Sequence, residues 1–134
     1  TNLSEGRGTT KPFEIIGAPW LDSKKIIEKL GNQNGVILRE CSFTPTFSDY
    51  KDTFCHGIQL HITDRSLFSP FEVGIRLSDT IRKTHDEFEM NPFITELLGT
   101  DEILKPDFDV EAFINREAEK VKEWQAYSKK WYMY

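Results

Sequence analysis

The sequence predicts an α+β fold: a small mixed, largely antiparallel sheet covered by helices, closed by a long amphipathic C-terminal helix. Two observations lead there. The elements run strand, helix, strands and then helices, and the helical segments carry capping signals and 3.6-residue periodicity where the strands carry alternation or β-branched runs.

The first strand is PFEIIGAPW, Pro12 to Trp20, rich in β-branched and aromatic residues. Asp22 follows as a helix N-cap, with Leu21 and Ile26 spaced as a hydrophobic staple and Gly31 at the left-handed C-terminal position, so residues 23 to 30 form a helix. Asn34-Gly35 signals a turn. VILRECSFTPTF then reads as a strand that Pro45 confines to an edge or a bulge. In GIQLHITD, alternation sends Ile58, Leu60 and Ile62 to a core face and Gln59, His61 and Thr63 to a polar one.

Ser69-Pro70-Phe71-Glu72 is a capping box with proline at the first helical position, and Val73, Leu77 and Ile81 form the buried stripe of a helix over 70 to 84. Asn91-Pro92 opens a short helix that Gly99 ends. From Asp109, Val110, Phe113, Ile114, Val121, Trp124 and Trp131 recur on one side of a long helix with Glu and Lys on the other. Its aromatic end, Trp131, Tyr132 and Tyr134, is expected to pack in the core or against another domain.

Composition bounds the function. The 38% apolar and 29% charged residues are those of a soluble globular protein, and 134 residues suffice for one domain, 1 to 134. A net charge of -5, without a lysine-arginine run, argues against nucleic acid as partner. No apolar stretch approaches the roughly 18 to 20 residues of a transmembrane segment. A start at Thr rather than Met suggests a mature or excised piece. Cys41 and Cys55 lack metal or redox spacing; they read as two buried free thiols, with a cross-strand bridge as the alternative.

Two polar groups stand out. In TNLSEGRGTT, Glu5 and Arg7 share a face if the segment is extended, and with Gly6, Gly8, Thr9 and Thr10 they make a rim suited to a hydroxyl-rich ligand. An ordinary surface ion pair beside flexible glycines is the competing reading. A phosphate loop fails, because Lys11 occupies the third glycine position and no strand precedes the segment. The second group is Gln59, His61, Thr63, Asp64 and Arg65, an amide, an imidazole and a carboxylate-guanidinium pair from one strand; a lone strand histidine is more often structural. The three histidines lack metal-site spacing, so neither metal nor other cofactor is expected. Cys55 and His56 are strand neighbours pointing to opposite faces, which excludes a nucleophile-base pair. FTPTF, Phe43 to Phe47, is either an aromatic platform or core.

Taken in order, NLSEGRGTT, PFEIIGAPW, FTPTF and GIQLHITDR, followed by Gly99-Thr100-Asp101 and an aromatic C-terminus, resemble the C-terminal half of the bacterial exo-β-N-acetylmuramidases, the NamZ-like family formerly described only as a domain of unknown function. The resemblance covers Asn2 to Tyr134. It implies a two-domain glycosidase whose Rossmann-like N-terminal domain holds the principal catalytic glutamate, with the active site in the interdomain cleft. Such enzymes take N-acetylmuramic acid from the non-reducing ends of peptidoglycan fragments in cell-wall recycling, which implies a periplasmic, secreted or lipoprotein-anchored protein.

On that resemblance Glu5 is an assisting carboxylate, and Arg7, Thr9, Thr10, Gln59, His61, Asp64 and Arg65 bind substrate, with Arg7 or Arg65 facing the lactyl carboxylate. The other class of function is a non-catalytic module that binds cell-wall saccharide, peptide or a protein partner. Two departures are local and fall in expected loops: Ser48 to Thr53 is rich in Asp and Lys where the family leads one to expect a glycine-containing turn, and His85-Asp86-Glu87 is unusually polar.

Overall fold

The structure, a computed structural model, describes residues 1 to 133. Three strands, β1 (Ile15–Ala18), β2 (Val36–Phe43) and β3 (Cys55–Ile62), form a sheet of order β1-β3-β2 that is antiparallel throughout. With β3 central, Pro45 follows an edge strand, where its missing N–H leaves the ladder intact. The register pairs Ile16 and Glu40 with Ile58, and Ala18 and Ser42 with His56.

Helix α1 (Ser23–Leu30) begins where Asp22 accepts the Lys25 N–H (3.0 Å) and ends at Gly31, whose φ of 66° favours glycine. The staple holds, since Leu21 and Ile26 are both buried. Helix α2 (Pro70–Arg82) starts with the Ser69 hydroxyl accepting the Glu72 N–H (3.3 Å) and stops two residues short of the expected end. The core joins Leu3, Ala18, Leu21, Ile26, Ile58, Leu77 and Ile81, so α1 and α2 cover one sheet face. Burying such side chains contributes about 1.5 to 3 kcal/mol each. Helix α3 (Ile94–Leu98) follows Asn91, whose side chain accepts the Phe93 N–H, and ends at left-handed Gly99.

Two expectations need correction. The first strand is shorter than Pro12 to Trp20, because residues 11 to 14 turn: Glu14 N–H bonds to the Lys11 carbonyl and Phe13 has a φ of 65°. Ile62 is exposed rather than core, since it ends β3 beyond the helices' cover. Cys41 and Cys55 are free thiols, as first read, though Cys41 is only half-buried; their register partners are Gly57 and Phe43, so the alternative cross-strand bridge does not form.

The chain divides into two compact units, Thr1–Asp101 and Glu102–Tyr134. The second contains α4 (Val110–Ser128), capped by Asp109, which accepts the Ala112 N–H (3.0 Å). Within it Phe108 and Phe113 pack edge to face, and Arg116 bonds both Glu102 oxygens at 2.9 Å. The apolar stripe is buried only at Phe113 and Ile114; Val121, Trp124, Tyr127, Trp131 and Tyr132 are exposed. Core packing of the aromatic end therefore fails for Trp131 and Tyr132, while Tyr134 lies outside the described residues.

Candidate functional site

The N-terminal segment is tied to the sheet before it reaches its charged residues. Ser4 and Gly17 exchange two backbone hydrogen bonds of 2.9 Å, and Leu3 enters the core. The chain then bends. Gly6 and Gly8 have φ near +80° and +79°, and the Gly8 carbonyl accepts both the Thr46 N–H and its hydroxyl at 2.9 Å. Thr9 donates to the Gly6 carbonyl (2.7 Å) and accepts the Lys11 N–H (3.1 Å), so its hydroxyl shapes the loop. The loop presents Glu5 and Arg7 outward as an ion pair, Nε to Oε1 3.0 Å, with the guanidinium 5.4 Å from the Phe13 ring centroid. Thr10 is exposed beside them. A surface pair of this kind adds at most about 1 kcal/mol to stability, so its effect is mainly to orient the two side chains.

Gln59 and His61 lie on the sheet face opposite the helices, half-buried, across from Arg39 and Ile37 of β2. Gln59 also opposes Ile15, while the Glu5 carbonyl accepts the Phe13 N–H (2.8 Å). Backbone pairing thus brings the Glu5 segment and the Gln59-His61 end of β3 to the same end of β1. Among the described residues no side-chain hydrogen bond links the two groups. Asp64 accepts from the Ser66 N–H (2.8 Å) and hydroxyl (2.6 Å), which holds its carboxyl below the usual carboxylate range. It closes a turn instead of pairing with Arg65, which is exposed.

Of the aromatic segment, Phe43 is half-buried, with its ring against Gly17 and Gly57, whereas Phe47 is exposed. Phe43 is thus a packing residue and Phe47 is open to a ligand or partner.

A match to a family model covers residues 1–134, under the description "Exo-beta-N-acetylmuramidase NamZ, C-terminal". The chain belongs to that family. It is 49% identical over 89 residues, 65% of its length, to the peptidoglycan beta-N-acetylmuramidase NamZ of Bacillus subtilis (strain 168), and covers 22% of that protein. A crystal structure of a DUF1343 family protein from Bacteroides fragilis NCTC 9343 shares the fold, with a TM-score of 0.85 at 23% identity over 99% of this chain and 38% of that one. The chain therefore spans well under half the length of either relative.

The chain carries a further cleft, of about 470 Å³, at the other end of β1. Trp20, Asp22 and Ser23 form one side of its lining, and Glu40, Ser42 and His56 the other. None of the residues assigned to catalysis or substrate binding from the sequence lines it. Alternation along β2 places Glu40 and Ser42 on one side of the strand, a signal that was available; the register that sets Ser42 opposite His56 was not. Among the described residues no cluster of His, Cys, Asp and Glu is arranged to hold a metal ion, and no helix is long and apolar enough to cross a membrane.

Proposed function

We propose that this chain is the C-terminal domain of a glycoside hydrolase that removes N-acetylmuramic acid from the non-reducing ends of peptidoglycan fragments. In this reading it forms one wall of a cleft whose other wall is a Rossmann-like N-terminal domain of the same protein. The observation that carries it is the family match over residues 1–134 in a chain spanning 22% of its muramidase relative.

The chemistry divides between the walls. Glycoside hydrolysis uses two carboxyl groups across the scissile bond, and the N-terminal domain supplies the principal one. Glu5 assists from this side, oriented by the Arg7 guanidinium, Nε to Oε1 3.0 Å. Arg7 meets Glu5 through Nε, and in this reading its terminal amino groups bind the lactyl carboxylate bidentately. Gln59, His61, Thr10 and Arg65 offer donors for sugar hydroxyls, while Thr9 and Asp64 keep the two loops in shape. Peptidoglycan lies outside the cytoplasmic membrane, so the working site is periplasmic, secreted or lipoprotein-anchored. The exposed Val121 and Trp124 of α4, with exposed Trp131 in the turn that follows it, favour a partner surface as well and keep a non-catalytic docking role as the second reading.

The test is Glu5→Gln in the full-length protein on a chromogenic muramide, with the isolated chain assayed beside it. Loss of turnover by roughly tenfold or more, with the isolated chain inactive, is expected. Near-normal turnover removes Glu5 from the chemistry, and cleavage by the isolated chain removes the two-wall reading.

A further inference from the structure

The cleft at the start of α1 has features that the Glu5 and Gln59 groups do not share. Its size, about 470 Å³, is within the range of small-ligand sites. Its walls come from two rigid elements, the β1–α1 connection and the paired strands β2 and β3, with Ser42 and His56 as register partners and Glu40 one step along the same side of β2. Trp20 is fixed in the wall, its indole N–H donating to the Tyr50 hydroxyl (3.1 Å) and its ring 5.6 Å from that of His85.

The polar chemistry selects the ligand. Two carboxylates, Asp22 and Glu40, line the cleft and no lysine or arginine does, which repels anions. Asp22 gives one oxygen to the Lys25 N–H (3.0 Å), leaving the other as an acceptor. Ser42 and His56 both donate and accept, so they suit hydroxyls, and their donors would be left unmatched by an ammonium group. Ser23, only 6% exposed, has a hydroxyl with no hydrogen-bond partner among the described residues, and buried polar groups without partners are rare. An aromatic wall beside paired acceptors and donors is the composition of a site for a pyranose, which presents an apolar face and a rim of hydroxyls.

We propose that this cleft, walled by Trp20, Asp22, Ser23, Glu40, Ser42 and His56, binds a neutral, hydroxyl-rich sugar ring and discriminates against the anionic, lactyl-bearing one. This rests on the muramidase reading only for the choice of probe: N-acetylglucosamine is the neutral counterpart of N-acetylmuramic acid.

The experiment is a titration of the 134-residue chain, followed by the Trp20 indole and His56 imidazole NMR signals. N-acetylglucosamine shifts both saturably, with a Kd on the order of 1 mM, and N-acetylmuramic acid binds roughly tenfold more weakly or worse. Glu40→Ala and Ser42→Ala, at exposed positions of β2, each weaken the neutral sugar by roughly tenfold while the circular dichroism spectrum is unchanged. Glu40→Gln covers the event that Glu40→Ala unfolds, and it too weakens binding. The proposal is overturned if the neutral sugar gives no saturable shift, if N-acetylmuramic acid or protonated glucosamine binds more tightly, or if folded variants bind as the parent does. Hydrolysis of a muramide by the full-length protein is scored separately: its absence sinks the muramidase reading and leaves sugar binding standing.

Discussion

The Nε2 of His85 accepts the backbone N–H of Asp22 at 2.9 Å, tying the chain after α2 to the start of α1. A backbone N–H can only donate, so the ring proton sits on Nδ1, which lies 2.8 Å from the Thr84 hydroxyl. His85 is buried and rests against Trp20. His85→Ala leaves the Asp22 N–H without this acceptor and opens a void, so unfolding free energy falls by about 1 to 3 kcal/mol. His85→Gln, whose amide oxygen can accept, recovers part of the loss. Urea denaturation of the three proteins checks the order; equal stabilities refute it.

Backbone conformation predicts two changes of opposite sign. A Cβ at Gly8 would lie 2.7 to 2.8 Å from backbone atoms of Thr46 and Phe47, at a φ of +79°, so Gly8→Ala destabilises by about 2 kcal/mol or more. Ser48, Tyr50 and Asp52 also have positive φ, between 58° and 69°, without being glycine. Tyr50 is held there by accepting from Trp20 and donating to the Asn2 carbonyl (2.8 Å); the Ser48 side chain has no hydrogen bond among the described residues. Ser48→Gly therefore relieves left-handed strain and stabilises by about 0.5 to 1 kcal/mol. Chemical denaturation measures both, and a destabilised Ser48→Gly would contradict the account.

That loop also marks where the sequence stops being legible. Helix starts could be read because capping is local: Asp22, Ser69 and Asp109 each accept the N–H three residues on, as their spacing requires. The core face of β3 was readable at Ile58 for the same reason, since alternation needs only neighbours. The aspartate-rich turn over 48 to 53 was visible as a departure, but its left-handed backbone was not, because Tyr50 is held by residues 30 and 48 positions away. The cleft was invisible for a related reason: it is assembled from register, from the position of α1 and from the hold of His85 on Asp22. Among the singled-out residues, the Glu5–Arg7 pair followed from spacing, whereas the engagement of Thr9 and Asp64 in their own loops required the fold.

Burial pushes the thiols of Cys41 and Cys55 above their usual range. An acid whose folded pKa is raised holds its proton longer folded than unfolded. Its contribution is fully present below the unfolded value, about 8.5, and is lost as pH rises through the higher folded one. Stability is expected to fall above pH of about 8.5, and thiol reagents at that pH to react more slowly than with the unfolded chain. Half-buried Cys41 reacts before buried Cys55. A Cys55 labelled as fast in the native protein as in denaturant would refute the burial argument.

Asp64 titrates in the opposite sense. The Ser66 hydroxyl, then the Ser66 N–H, and to a lesser degree the Leu67 N–H hold its carboxyl below the ordinary value. A depressed folded pKa contributes stability that is present above the unfolded value, about 3.9, and is lost as pH falls through the folded one. Ser66→Ala removes the strongest of these bonds, so the Asp64 carboxyl rises toward its ordinary value in an NMR titration. The acid limb of the stability curve becomes shallower with it. The group is solvent-exposed, so the change is read as a shifted titration midpoint rather than a large loss of stability. An unmoved midpoint in Ser66→Ala would mean that the carboxylate is held by something other than its own turn, which would return Asp64 from loop closure to the residues facing substrate.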